Sequence, residues 1–175
     1  MSNSKLILFG FIICWFFINS SCKKSSTGYT IPPGNPNNEV KATVSINGGP
    51  ASSSTATGNS TIFVKRFDPN GDTVITIVGG GNQGQINITL VNTNFSGTYI
   101  FENNSNSKQY ALCYFNIGNA LTGPYEFYIA TTGSRPGTIT IDTLTSTSIK
   151  GSFTSDCVGA GGTIIITDGS FKGEF

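Results

Sequence analysis

The chain has 175 residues, with ten Lys plus Arg against nine Asp plus Glu and no His. Without His, Ser-His-Asp and Cys-His nucleophilic machinery is excluded, and so are His-ligated metal centres. The near-balanced charge, with no basic patch, argues against nucleic acid as a partner.

The chain opens on a short basic start, Met1 to Lys5. Leu6 to Ile18 follows and is apolar at every position except Gly10. That run is too short to cross a bilayer, which takes about 20 apolar residues, and has the length of a signal-peptide core. Ser20, Ser21 and Cys22 then follow. An apolar stretch ending in small residues and a Cys resembles the lipobox of bacterial lipoproteins. In that family the Cys thiol is diacylated and the signal is cut just before it. Asn19 stands where the family usually carries Leu, and the Ser-Ser-Cys-Lys-Lys ending is similar to the looser lipoboxes of Bacteroidetes. The resemblance implies a signal over residues 1–21, lipidation of Cys22, and a membrane partner reached through that lipid. It further implies a place at the outer membrane, with the periplasmic and surface sides both left open. Each buried CH₂ contributes about 0.8 kcal/mol, and stable anchoring takes two chains, which a diacylated Cys supplies.

Residues 23–38 are rich in Pro, Gly, Asn and Ser, which predicts a tether. Residues 39–175 then form one domain, long enough to build a core. Once Lys5 leaves with the signal, its nine cations match its nine anions. Of the four Cys, Cys14 leaves with the signal and Cys22 takes lipid. Cys113 and Cys157 remain as candidates for a disulfide in an oxidising compartment, or as two separate buried thiols.

From Val40 onward the pattern has period two, broken by turn residues. Val40, Ala42, Val44 and Ile46 predict a half-buried strand, closed by a turn at Asn47-Gly48-Gly49-Pro50. Strands 61–67 and 73–78 flank Asp68-Pro69-Asn70-Gly71-Asp72, a hairpin turn. Its alternate acids partly match a calcium loop, but Thr73 replaces the Gly and no Glu stands at the twelfth position. Gly79-Gly80-Gly81 precedes no helix, so it reads as a hairpin loop and not as a phosphate cradle. Further strands are expected over 85–91, 97–101, 109–117, 125–131, 137–142, 148–154, 163–167 and 170–175. No helical periodicity appears at helical length. The expected fold is all-β, an antiparallel β-sandwich or partly closed β-barrel of about ten short strands.

Three late elements form a spaced series: Gly137-Thr-Ile-Thr-Ile-Asp142, Ile149-Lys-Gly-Ser-Phe153, and Gly162 to Phe171 ending at Phe175. With Val44-Ser-Ile-Asn-Gly48 they resemble Bacteroidetes lipoproteins grouped under a domain of unknown function, DUF6252. The likeness covers roughly residues 40–175. It implies an all-β domain behind a lipid anchor and no particular activity. In both Ile149-Lys-Gly-Ser-Phe153 and Phe171-Lys-Gly-Glu-Phe175, the large-Gly-large positions share a face. Packing explains that pattern: a neighbouring ring fills the space over each Gly.

The candidate binding surface lies over 109–131. Ala111, Cys113, Phe115 and Ile117 predict an inner face, leaving Tyr110 and Tyr114 outside. In the next strand Phe127 and Ile129 are expected inside, leaving Glu126 and Tyr128 outside. Tyr110, Tyr114 and Tyr128 with Glu126 would then form an aromatic platform for a glycan or an envelope protein. The sequence reading is therefore a non-enzymatic binding or structural accessory lipoprotein, with no metal and no cofactor. The alternatives are a carbohydrate-binding surface lipoprotein and a hydrolase with a carboxylate pair.

Overall fold

The computed structural model describes residues 35–102, 109–118, 125–130 and 137–175. The signal, Cys22 and residues 23–34 lie outside the described residues. Eleven strands make one antiparallel sheet: β1 (Glu39–Ile46), β2 (Ser52–Thr57), β3 (Thr61–Phe67), β4 (Thr73–Gly81), β5 (Gly84–Val91), β6 (Gly97–Ile100), β7 (Tyr110–Gly118), β8 (Tyr125–Ala130), β9 (Thr138–Leu144), β10 (Ser148–Gly159) and β11 (Gly162–Glu174). The strand order is β2-β1-β11-β10-β8-β7-β5-β4-β3, so the sheet curls into a nearly closed barrel with one unsealed seam, flanked by β2 and β3. The expected all-β fold is what forms.

β10 is longer than either neighbour on one of its edges, and two strands share that edge. β8 pairs its upper part at Cys157 to Gly159, and β9 pairs its lower part at Ile149 to Thr154. β6 lies on the far side of β9, and Phe101 just beyond it bridges Ala111 in parallel.

The alternation read from the sequence decides which side chains fill the interior. Val40, Ala42 and Val44 of β1, Ile86, Ile88 and Leu90 of β5, and Ala111, Cys113 and Phe115 of β7 are all buried in one core. Ile149 and Phe153 of β10 and Ile164, Ile166 and Phe171 of β11 complete it. Fully burying an aliphatic or Phe side chain contributes about 1.5–3 kcal/mol, so this inner face is what holds the barrel.

Four local features differ from the sequence reading or were absent from it. β2, Ser-Ser-Ser-Thr-Ala-Thr, has no large apolar residue and gives no hydrophobic signal. Its inward residues Ser54 and Ala56 are small because β4 packs across them, with the Ser54 side chain where a side chain on Gly81 would stand. For the same reason Gly79-Gly80-Gly81 is the end of β4 and not a loop: Val40 packs directly over Gly79. The expected strands 163–167 and 170–175 are one strand, β11, bulged at Asp168 against both neighbours. Finally, the folded unit begins before residue 39. Asn38 is buried, its Oδ1 accepts the Glu174 amide at 2.8 Å, and Asn35 Nδ2 donates to the Glu174 carboxylate at 2.5 Å.

The turns follow their sequence chemistry. Asn47 and Gly48 both have positive φ, 52° and 73°. Asn47 also accepts the Thr163 amide at 2.8 Å and donates to the Gly161 carbonyl at 2.8 Å, tying the β1–β2 turn to the β10–β11 turn. Asp68 accepts the amides of Asn70 and Asp72 at 2.8 and 2.9 Å, so its carboxylate holds the β3–β4 turn together.

Candidate functional site

β7 presents Tyr110, Leu112 and Tyr114 on its outer face, as expected. β8 is reversed relative to the expectation. Tyr114 lies opposite Ile129, and Phe115 opposite Tyr128. Directly opposed residues share a face, so Phe127 and Ile129 point out and Tyr128 points in. Phe127 is 46% exposed and Tyr128 is 1% exposed. The reversal has a physical reason. Tyr128 pairs with Gly159 of β10, and its ring covers that bare backbone. Its hydroxyl reaches the barrel mouth beside Gly161 and donates to the carboxylate of Glu126. A ring with a polar tip can do both, whereas Phe127 inward would leave the rim carboxylate without this donor. The hydrogen bond to Glu126, and secondly burial, raise the Tyr128 hydroxyl above the usual tyrosine pKa.

The outer surface on β7 and β8 therefore differs in membership from the sequence reading. Tyr114 and Phe127 form a tilted ring pair, 5.1 Å between centroids and 36° between planes. Ile129 stands opposite Tyr114, and Val158 of β10 stands opposite Ile129, extending the apolar strip across three strands. Asn116 lies directly opposite Phe127 on the same face, with Gln85 of β5 on its other side. Asn116 is buried, and its Oδ1 accepts no hydrogen bond among the described residues. A buried carbonyl oxygen without a donor is uncommon.

Tyr110 stands apart from this strip. It is four residues from Tyr114 along β7, roughly 13 Å at strand spacing. Burial, and then the carboxylates of Asp72 and Asp68, raise its pKa. Tyr110, Tyr114 and Tyr128 are thus not one platform. Glu126 is exposed at the rim and is engaged by Tyr128. Phe127 and Asn116 are the members that sequence reasoning missed. The glycines at 159 and 161 carried the missing signal, since they require a ring from the facing strand.

Cys113 and Cys157 are both fully buried thiols. Both lie on the inner face, on β7 and β10, with β8 between them and the small Ala130 as the register partner of Cys157. A side-chain hydrogen bond to Cys157, and secondly burial, push the Cys113 thiol well above its usual pKa. Ser155 Oγ lies 3.4 Å from Cys157 Sγ.

The carboxylates with described partners serve the fold. Glu39 pairs with Lys41 at 2.8 Å, Asp68 holds its turn, and Asp72 accepts Asn92 at 2.7 Å. A depression of about 160 Å³ sits over the β11 bulge, lined by Thr138, Thr140, Ser152, Thr154 and Asp168. It is smaller than the roughly 300–1,000 Å³ of a typical small-molecule site. Among the described residues, no three His, Cys, Asp or Glu side chains gather as metal ligands. No protein family, no curated protein and no solved structure matches the chain.

Proposed function

We propose that the chain is a cell-envelope lipoprotein, lipidated at Cys22 and held at the outer membrane, whose barrel is a non-enzymatic binding or accessory module. The pattern of residues 1–22 supports the anchor. The observation that carries the binding reading is the Tyr114–Phe127 pair on the outer wall, with Phe127 46% exposed. Exposed rings suit a partner that offers an apolar surface.

The outer wall of a curled sheet is convex, which favours a macromolecular partner over an enclosed small molecule. An envelope protein or a glycan chain meets that description. The glycan reading draws on Tyr114 and Phe127, with Tyr128 replaced in that role. The resemblance to the DUF6252 lipoproteins agrees with an anchored all-β module and adds no activity.

The test is a glycan array together with binding to isolated envelope proteins, using residues 33–175 as wild type, Tyr114→Ala and Phe127→Ala. A ring contact is worth about 0.5–1.5 kcal/mol beyond its burial, so each variant should lose roughly 3- to 10-fold or more in affinity. Binding that survives both substitutions unchanged would sink the proposed surface.

A further inference from the structure

We propose that β3 is the membrane-facing strand of the domain, seated on the headgroup interface of the bilayer. The inference rests on lipidation at Cys22 as read above. β3 is one end of the sheet path, so among the described residues its outer edge has no strand neighbour. Its outer face carries Ile62 at 52% and Val64 at 39% exposure; Phe67 alternates to the other side, where the strand runs past the core, and is 74% exposed. On β4, Val78 opposite Ile62 and Val74 opposite Arg66 are both buried, so the exposed apolar surface at this edge belongs to β3. A long apolar edge strand left in water is a site for unwanted strand pairing. Contact with lipid covers it.

The point where the chain leaves the domain argues for this occupant. The Asn38 carbonyl accepts the Gly58 amide at 3.0 Å. Gly58 opens the short turn Gly58–Ser60 that leads directly into β3. The N-terminal end of the folded unit and the start of β3 are therefore held at one residue. Residues 23–34 separate Cys22 from Asn35, a reach of roughly 40 Å when extended, so an anchored Cys22 keeps this side near the bilayer.

Charge agrees. β3 carries Lys65 and Arg66 and no acid. Lys65 Nζ stands 5.8 Å above the Phe175 ring, at the same end of β11 that Asn35 and Asn38 grip. Lys65 is held there by the ring and by the Thr145 carbonyl at 3.5 Å, which leaves Arg66, on the Ile62 and Val64 face, as the cation that suits the anionic surface of a bacterial bilayer; an exposed Phe suits its interface. The Tyr114–Phe127 strip faces elsewhere. Its neighbour Glu126 lies beside Gly161, at the opposite end of β11 from Glu174. Thirteen residues of strand separate those ends, roughly 40 Å. A domain resting on β3 presents the ring pair away from the membrane.

The test uses the mature lipidated chain in vesicles of phosphatidylethanolamine and phosphatidylglycerol. The sole Trp, Trp15, leaves with the signal, so Phe67→Trp and Phe127→Trp each give a single reporter. With brominated acyl chains, the Phe67→Trp protein should lose emission and shift to the blue, and the Phe127→Trp protein should do neither. Flotation with the vesicles reads the anchor separately. A chain that does not float overturns the anchoring reading and this inference with it. A floating chain whose Phe67→Trp reporter is unquenched overturns the seating of β3 alone. Emission that instead tracks protein concentration assigns the edge to a second copy, and also overturns it.

Discussion

The Phe171 ring lies over Gly151, its directly opposed residue on the neighbouring strand. The exchange repeats along the same hairpin, where Phe153 covers Gly169, and across the barrel, where Phe63 covers Gly173. The rings of Phe153 and Phe171 sit 6.3 Å apart. A Gly151→Ala substitution drives a methyl group into both the Phe171 ring and the Thr140 carbonyl. Overpacking of this kind costs about 1–3 kcal/mol. The urea midpoint of Gly151→Ala should fall accordingly, and an unchanged midpoint would show that the ring has room to move.

Tyr128 sets an alkaline limit. Its hydroxyl keeps its proton to higher pH in the folded state than an ordinary tyrosine, which titrates near 10.0. Above pH 10 the unfolded chain releases this proton first, so the folded form binds more protons and stability falls as pH rises. Below pH 10 the contribution is fully present. Tyr110 acts in the same direction. Tyr128→Phe should flatten the loss of stability between pH 10 and the raised pKa, read by denaturation at a series of pH values. An equally steep profile in the variant would remove Tyr128 as the cause.

The thiol pair predicts protection without cross-linking. With zero exposure, Cys113 and Cys157 should resist iodoacetamide in the folded domain and react only on unfolding. β8 runs between their strands, with Ala130 beside Cys157. Two strand spacings of about 4.8 Å each exceed the roughly 7 Å between Cα atoms that a disulfide spans. Refolding in oxidised glutathione should therefore leave both thiols free. Mass spectrometry after alkylation under denaturing conditions checks it; a bridged Cys113–Cys157 peptide pair would overturn the register.

Asp168 holds a positive φ of 50° at the β11 bulge. Asp tolerates this region better than most side chains, and Gly adopts it without strain. Asp168→Gly should leave stability unchanged or slightly raised, whereas Asp168→Val should lower it by about 1–2 kcal/mol. Thermal denaturation of the two variants separates them. Equal losses in both would mean that the carboxylate, not the backbone, matters at the bulge.

Asn116 offers a test of an unmet buried acceptor. Removing an unpartnered buried carbonyl should not destabilise the domain, because no described hydrogen bond to Oδ1 is lost. Asn116→Leu is therefore expected to unfold at the same or higher denaturant concentration. A marked drop in stability would point to a structural role for the amide.

Much of the fold was legible because one period sufficed. Val40 to Ile46, Ile86 to Leu90 and Ala111 to Phe115 alternate as their burial does. β2 was not legible, because its inward Ser54 and Ala56 are small only on account of β4 packing across them. No local pattern encodes that crossing. β8 failed for the opposite reason. Hydrophobicity ranked Phe127 above Tyr128 for the interior, but the register with Phe115 and the bare backbone of Gly159 required the reverse. Half of the candidate surface, Tyr114, could be read from β7 alone. Phe127 and Asn116 depend on a neighbouring strand and became visible only with the register.

The first and last strands of this barrel are neighbours: Glu39 is paired with Lys172, and Ile46 with Ile164. During synthesis β1 can meet β2 early, but its other edge waits until β11 has been made. Closure therefore depends on a contact of long sequence separation, which forms late and slowly. The Phe171-Lys-Gly-Glu-Phe175 segment then staples the first strand, and truncating it removes the partner of Glu39 and Val40.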